Sequence, residues 1–521
     1  MTRKVEPVFK RYDQNQPMLI PPSYDDLVPA NHPVRVVNEV IERIDIRALE
    51  SSYKGGGTSS YHPRMLLKVV VYGYLRNIYS SRKLEQALNE NVHFMWLAGG
   101  AKPDHNTIAD FRSRRLKDHL KKIFDQVVML LAEEGAVSLK EVVLDGTKIE
   151  ANANRYTFVW GKAIKVSRER IERQLRELWG YVERVYQDEE QQPNEPNFEV
   201  IDPQAVARTI RTINEALKEK EVDPKVRQKL NYAKKNWPQK LAEYDEKEKI
   251  LKGRNSYSKT DPDATFMRMK EDHMLNGQLK PGYNVQASTE RQYIINYTLG
   301  QTTSDTVLLK DHIEEHCRSY GSSPEKLTAD AGYGSEENYT FLEEQGVMAF
   351  VKYNYFDKEE TEERNKNRKN HKQKYPFHAD NLHYDAERDT LTCPIGQEMH
   401  YTGEKRRRTK GGYLQTYRMY RAQNCQGCPM RGPCHKAEGN RIVQRSPNLD
   451  RYKQQVRELL ESEEGLEKRK QRWQVEAVFG NIKQNKGFRR FYLRGIEKVN
   501  IEIGLLAIAH NLQRFTNKTG H

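Results

Sequence analysis

The sequence contains no run of about 18 apolar residues, the length a membrane-spanning helix needs, so no membrane partner is expected. Behind the opening Met1-Thr2-Arg3-Lys4-Val5-Glu6-Pro7 there is no apolar stretch either. A secretory signal is therefore not expected, and the chain is expected to stay in the cytoplasm. A Gly-rich nucleotide loop of the Walker type is missing, so ATP is not implied. No internal repeat is visible, which argues against a repeat array. Cysteine is scarce: 521 residues hold five, Cys317, Cys393, Cys425, Cys428 and Cys434. Four of them fall close together, and in a large cytoplasmic chain such clustering suggests metal binding more than disulfides.

What the sequence has in quantity is positive charge. Lys and Arg total 87 against 73 Asp and Glu, a formal net charge of +14. A basic surplus favours polyanionic partners, of which nucleic acid is the commonest. At about 100–200 residues per domain, this length implies three or four folding units.

Residues 1–30 read as an extended arm. From His32 the pattern turns helical, with Val34, Val37, Val40, Ile41 and Ile44 at three- and four-residue steps. Pro63 opens a second helix carrying Leu66, Leu67, Val70, Val71, Tyr74 and Leu75. Thr107 followed by Asp110 has capping-box form and predicts another helix start. That helix carries Arg112, Arg114 and Arg115, as the last helix of a helix-turn-helix would, although an ordinary solvated face reads the same way.

Near Lys140 the character changes. Glu141-Val142-Val143-Leu144-Asp145-Gly146 predicts a buried strand ending at Asp145, with Gly146 allowing close approach of a ligand. Residues 165–260 are dominated by Lys, Arg, Glu and Gln and predict long helices, such as a helical hairpin inserted in the fold. Strands are predicted at Tyr283–Ser288 and Tyr293–Thr298, joined by Thr289–Gln292 as a hairpin. Further strands are predicted at Lys326–Asp330 and Val347–Val351, with a helix from Ser335 between them. Residues 353–449 form a polar, basic insertion holding the clustered cysteines. A long charged helix is predicted over Asp450–Lys486, and an apolar one around Ile503–Ala509.

Phosphodiester chemistry needs negative charge to be spread and a hydroxyl to be activated. Two divalent ions roughly 3.5–4 Å apart do both, and Mg²⁺ takes hard oxygen ligands. Asp145 and Asp330, each closing an apolar strand, and Glu476 on a helix would supply them. Arg472, Glu476 and Lys483 are predicted to share one helical stripe. Taken singly, each Asp reads first as a turn or N-cap residue and Glu476 as one half of a surface pair with Arg472. Asp261 and Asp263 form a competing acidic pair in a Pro-containing turn.

The order of elements resembles the RNase H-like core of DDE transposases. Arg472, Glu476 and Lys483 are similar in spacing to the Tyr-Arg-Glu-Lys signature of IS4-like transposases, with Arg469 where that signature has Tyr. A closer resemblance is to the IS1182 group of insertion-sequence transposases. It is carried by His62–Leu67, Pro103–Arg112, Leu144–Ala153, Ala329–Tyr333 and the tail around His510-Asn511-Leu512.

The resemblance implies a multidomain α/β protein: an N-terminal helical DNA-binding domain (1–135) and an RNase H-like mixed-sheet core in segments 136–164, 261–352 and 450–521. The core would be interrupted by insertions at 165–260 and 353–449. It implies that Asp145, Asp330 and Glu476 bind Mg²⁺ or Mn²⁺ and cut and rejoin DNA. It also implies transposon-end and target DNA as partners, a homodimer on DNA, and a place in the cytoplasm with the nucleoid. Arg472 and Lys483 suit phosphate contacts, and Asn152 and Asn154 would lie near the site. Two rivals stay open: a structure-specific nuclease on the same fold, and a domesticated or inactive DNA-binding protein.

Cys425-Gln426-Gly427-Cys428 forms a Cys-x2-Cys knuckle, with Cys434 downstream and Cys393 upstream. Four thiolates make a closed, structural Zn²⁺ site, in which His435 could replace one Cys. Cys317 reads as a packing residue. Two basic runs remain. Lys405-Arg406-Arg407-Arg408-Thr409-Lys410 reads as a DNA contact or as a solvated surface. Lys483–Tyr492, with Arg489, Arg490 and interleaved aromatics, suits backbone contact with base stacking.

Overall fold

The computed structural model describes residues 22–53, 59–187, 193–269, 277–365, 377–379 and 382–519. Most of the expected N-terminal arm, positions 1–21, lies outside the described residues. The chain forms two compact units, one of residues 1–119 with 511–521 and one of residues 120–510. Among the described residues no helix is long and apolar enough to cross a membrane.

The first unit is helical. Helices Pro33–Arg43 and Pro63–Leu75 both begin on a proline, whose fixed φ suits the first turn. In each, the preceding histidine caps the helix: His32 Nδ1 accepts from the Val34 N–H at 3.2 Å and His62 Nδ1 from the Arg64 N–H at 3.1 Å. The second helix is the centre of the unit, with Leu66, Leu67, Val70, Val71 and Tyr74 all buried. The next predicted start is displaced. Asp104, not Thr107, is the cap, its Oδ1 accepting from the Thr107 N–H at 2.8 Å, so the helix spans His105–Asp110. A π turn, Phe111–Arg115, follows.

The strands of the second unit are β1 (Glu141–Glu150), β2 (Phe158–Trp160), β3 (Ser256–Ser258), β4 (Thr265–Arg268), β5 (Leu279–Glu290), β6 (Tyr293–Gly300), β7 (Lys326–Ala329) and β8 (Met348–Val351). After them come β9 (His383–Asp385), β10 (Thr390–Thr392), β11 (Glu398–Arg408), β12 (Leu414–Ala422) and β13 (Ile442–Arg445). Strands β4, β5, β1, β7 and β8 form the main sheet in that order, with β6 also paired to β5. Its β6–β5–β1 portion is antiparallel and its β1–β7–β8 portion parallel. This mixed sheet is consistent with an RNase H-like core.

The strand predicted to end at Asp145 runs on to Glu150. The reason is β5, which pairs with β1 from Val143 to Glu150 and supplies a partner for each backbone group. The β5–β6 hairpin is tighter than its sequence suggests. It turns on Arg291 and Gln292, both left-handed at φ 48° and 65°, the pair of positive φ values that matches strand twist in a two-residue loop.

Both insertions have cores of their own. The first is not a hairpin but three helices, Gly161–Val185, Pro203–Ala216 and Pro224–Leu251. They close around Leu175, Trp179, Val182, Ile210, Ile213 and Trp237. The second is an antiparallel sheet ordered β13-β12-β11-β10-β9 over a small core of Leu382, Leu391, Met399, Tyr420, Ala422 and Val443.

The long charged helix expected after Asp450 is broken into Pro447–Glu461, Glu463–Gln471 and Trp473–Gly480, followed by a π turn at Asn481–Asn485. Ser462 makes the first break. It leaves helical geometry at ψ 162° and caps the next segment by accepting from the Gly465 N–H at 3.0 Å.

Candidate active site

Parallel pairing of β1 with β7 sets Val143 opposite Thr328. Asp145 and Asp330 each lie two residues beyond this last pair, Asp330 just past the end of β7. Asp145 is 7% exposed and sits within the strand, opposite Ala287 of β5. Asp330 turns the chain, its Oδ1 accepting from the Gly332 N–H at 2.8 Å. Glu476 lies on the Trp473–Gly480 helix, which packs on β1 and β5 through Val475 and Val478 on its buried side.

Arg472, at the start of that helix, joins the two acids that come from different elements. Its Nη2 is 4.0 Å from Asp330 Oδ2 and 3.8 Å from Glu476 Oε1. The Arg472 side chain is 24% exposed and that of Glu476 is 62% exposed. A guanidinium thus stands between Asp330 and Glu476, and Asp145 lies on the interior strand β1.

A fourth carboxylate, which sequence reasoning missed, completes the cluster. Asp305 lies in the loop after β6, and its Oδ1 accepts from Asn284 Nδ2 at 2.7 Å and Gln286 Nε2 at 3.0 Å. A Cβ on Gly146 would lie 2.5 Å from Asp305 Oδ1 and 2.4 Å from Gln286 Nε2. One on Gly332 would lie 2.9 Å from Asp330 Oδ1 and 3.8 Å from Asp305 Oδ2. In sequence Asp305 follows Thr302-Thr303-Ser304, a setting that reads as a turn. Only the fold brings it beside β1.

Tyr333 lies beneath this cluster and donates its hydroxyl to Gln286 Oε1. Burial pushes its phenol well above the usual range. The negative charges of Asp305, Asp145 and Asp330 push in the same direction, and Arg472 opposes them. Asn284 and Gln286 are fully buried, so the cluster rests on a floor of fixed amides.

Other predicted site residues serve the scaffold. Arg490 donates to the Ala151 carbonyl at 3.1 Å and the Ala153 carbonyl at 3.2 Å, and Asn152 Nδ2 donates to the Tyr492 carbonyl at 2.7 Å. Together they tie the chain leaving β1 to the loop that follows Glu476. Asn154 Oδ1 accepts from the Tyr156 N–H at 2.8 Å within its own turn.

Lys483 is only 6% exposed, because the π turn rotates it off the stripe of Arg472 and Glu476. Arg489 folds back on the Lys483 carbonyl at 3.3 Å. Phe488 and Phe491, expected to stack on bases, are buried against each other with ring centroids 5.5 Å apart, and Tyr492 is exposed.

The acidic pair at 261 and 263 holds the last helix, Ile496–Thr519. Asp261 accepts from the Tyr283 hydroxyl at 2.9 Å and the Gly495 N–H at 3.2 Å, and Asp263 Oδ2 accepts from the Ile496 N–H at 3.0 Å. Burial raises the Asp261 carboxyl above the usual range.

In the first unit Arg112 points inward at 4% exposure. It donates to the Tyr79 carbonyl and approaches the Tyr74 hydroxyl at 3.4 Å. Arg115 lies over the Tyr53 ring, 4.5 Å from its centroid. Arg114 is exposed and paired with Asp110.

Cys393, Cys425, Cys428 and Cys434 line one small cavity together with His435 and Arg441. Cys393 Sγ accepts from the Gln397 N–H and Cys425 Sγ from the Arg441 N–H, each at 3.3 Å, and Arg441 Nη1 is 3.0 Å from Cys434 Sγ. Cys317 Sγ lies 3.0 Å from Ser323 Oγ, away from this cavity. Among the described residues, no three His, Cys, Asp or Glu side chains are drawn together closely enough to hold a metal ion as they stand.

The packing around Gly146 makes a direct prediction. Gly146→Ala forces a methyl group against Gln286 and Asp305, and overpacking of this kind costs about 1–3 kcal/mol. The urea midpoint of the variant should fall accordingly. An unchanged midpoint would mean that β1 and the Asp305 loop are not in this contact.

Residues 22–114 match a transposase domain (DUF772), and residues 392–516 match a transposase DDE domain. The second match includes Glu476, and both Asp145 and Asp330 lie outside it. No curated protein and no solved structure gives a significant match. The two domain matches support the IS1182 type, and the wider IS4 comparison rests on the helix signature alone. With a transposase domain matched near each end of the chain, the two matches indicate a DDE transposase of the IS1182-like type.

Proposed function

We propose that the protein binds the terminal inverted repeats of its element, hydrolyses DNA at the element ends and joins the freed 3′-hydroxyls to target DNA. Asp145, Asp330 and Glu476 are the acids that carry this reaction. The observation that supports the reading best is that Arg472 links Asp330 to Glu476, while the charges of Asp145, Asp305 and Asp330 all act on the same buried Tyr333. Carboxylate oxygens on strands and a helix are a hard donor set, which fits Mg²⁺ or Mn²⁺ and not a soft metal. When bound, a pair of such ions activates the attacking oxygen and takes up charge on the leaving oxygen.

The protein's own part is placement. Pairing with β5 fixes Asp145, the turn after β7 fixes Asp330, and Arg472 offsets the charge of Asp330 and Glu476. Its planar guanidinium also suits a bidentate hold on a phosphate, so it can pass from the acids to the DNA backbone as the strand arrives. In the first step the oxygen of water forms a bond to phosphorus and the 3′-oxygen leaves with a proton. In the second, that 3′-hydroxyl attacks a target phosphate in line and gives up its proton, and the target strand's own 3′-oxygen leaves with a proton. Two ends must be held at once, so two protomers act together on DNA at the nucleoid. The first unit takes part in end binding, with Arg114 as its outward cation.

The test is cleavage of labelled DNA carrying the flanking inverted repeats in Mg²⁺, comparing wild type with Asp145→Asn, Asp330→Asn and Glu476→Gln. Wild type should cut at the repeat ends. Each variant should lose at least about two orders of magnitude in rate, as when a preorganised charge-stabilising group is removed, while still binding. Equal cutting by a variant would take that acid out of the site. Cutting of branched DNA irrespective of the repeats would favour a structure-specific nuclease. Binding without any cutting by wild type would favour an inactive or domesticated DNA-binding protein.

A structural Zn²⁺ in the second insertion is the companion proposal. Four thiols and an imidazole line one cavity, and backbone N–H groups already point at two of the sulfurs. Side-chain rotation would have to draw the ligands in. Elemental analysis should find one zinc per chain, and Cys428→Ser should lower both zinc content and thermal stability. Absence of zinc with an unchanged melting temperature would end the proposal.

A further inference from the structure

The run Lys405–Lys410 has a specific place in the fold. Strand β11 pairs with β10 only at Glu398–His400, and β12 pairs with β13 only at Arg418–Arg421. Beyond those positions Lys405–Arg408 and Leu414–Tyr417 pair only with each other. They form a two-stranded ribbon extending past the five-stranded sheet. Lys405, Arg406, Arg407, Arg408 and Lys410 are all exposed on it, and none forms an ion pair among the described residues. Strand alternation puts Lys405 and Arg407 on one face and Arg406 and Arg408 on the other.

The ribbon is not a loose flap, because its turn is anchored. Thr409 Oγ1 donates to Glu337 Oε2 at 2.7 Å. The Tyr413 hydroxyl donates to Glu336 Oε1 at 3.1 Å and Gln415 Nε2 to Glu336 Oε2 at 2.6 Å. Ser446 Oγ adds a bond to Glu336 Oε2 at 2.7 Å. Gly411 lies against the Glu337 carboxylate, which a side chain at that position would displace. Glu336 is 4% exposed, and a carboxylate is held at that depth only when hydrogen bonds replace its water. Glu336 opens the helix Glu336–Glu344, which begins six residues after Asp330. The anchor therefore fixes the ribbon to the helix that continues the Asp330 turn.

We propose that the β11–β12 ribbon is a DNA-binding arm. Its five cations grip the phosphate backbone of the duplex beside the strand being cut, and the Glu336 anchor sets its position relative to the carboxylates. The partner is duplex DNA because the cations lie on both faces of a narrow ribbon, a shape that a major groove admits between two phosphate strands. This rests on the transposase reading of the site and adds to it an arm that the sequence alone left indistinguishable from a solvated surface.

The experiment uses the full-length chain and a duplex carrying the flanking inverted repeat. Binding is measured by fluorescence anisotropy over a range of salt, and cleavage in Mg²⁺ is followed with the same preparations. The test variant is Arg406→Gln with Arg407→Gln and Arg408→Gln. The control is Lys162→Gln with Lys165→Gln and Arg170→Gln, on an exposed face of the first insertion.

Removing one cation from a phosphate should lower the slope of log affinity against log salt by about 0.9. The ribbon variant should therefore show a slope smaller by about two to three units and bind at least tenfold more weakly at moderate salt, with the control unchanged. A ribbon variant that matches wild type in slope and affinity, while wild type cuts the repeat, overturns the arm and leaves the transposase reading standing. Wild type that neither binds nor cuts DNA overturns both.

Discussion

Negative charges brought together repel, and this protein sets three of them around Tyr333 and holds a fourth beside them through Arg472. Asp145, Asp330, Asp305 and Glu476 come from a strand, two loops and a helix that are far apart in sequence. The structure offsets that repulsion in two ways. Arg472 stands between Asp330 and Glu476, and the side-chain amides of Asn284 and Gln286 donate to Asp305. Beneath them Tyr333 is held neutral by burial and by the acids' own field. Concentrated negative charge of this kind favours cations, and this is the basis of the metal-dependent reaction proposed above.

The rest of the second unit keeps that cluster in place. Strand β1 is paired on both sides, so Asp145 cannot shift without breaking two ladders. The latch of Arg490 and Asn152 couples the end of β1 to the loop after Glu476. Asp261 and Asp263 then hold the start of the final helix. The insertions carry their own cores and need take nothing from the main sheet to fold. This explains how a catalytic sheet can be interrupted twice and still bring its acids together.

Much of this was legible in the residues. Apolar runs located β1, β7 and β8, and alternation located the β5–β6 pair. What escaped the sequence was decided by tertiary partners. Asp145 lies inside its strand because β5 is there to pair with it. The charged helix breaks at Ser462 and again in a π turn, which buries Lys483 where an unbroken helix would have exposed it. Arg112 reads as an outward cation until Tyr74 and Tyr79 close over it. Asp305 has no strand or motif to mark it. The second insertion reads as polar loop because its strands expose most of their side chains, leaving little apolar alternation to detect.

The most direct test of the central idea, that acids from three separate elements share one metal-binding locus, is iron-directed cleavage of the protein itself. Fe²⁺ would be added in place of Mg²⁺, and the hydroxyl radicals it generates would cut the nearest backbone. Cuts near Asp145, Asp330 and Glu476 together, all suppressed by excess Mg²⁺ and abolished in Asp330→Asn, are the expected result. Cuts confined to one of the three, or clustered elsewhere, would contradict it.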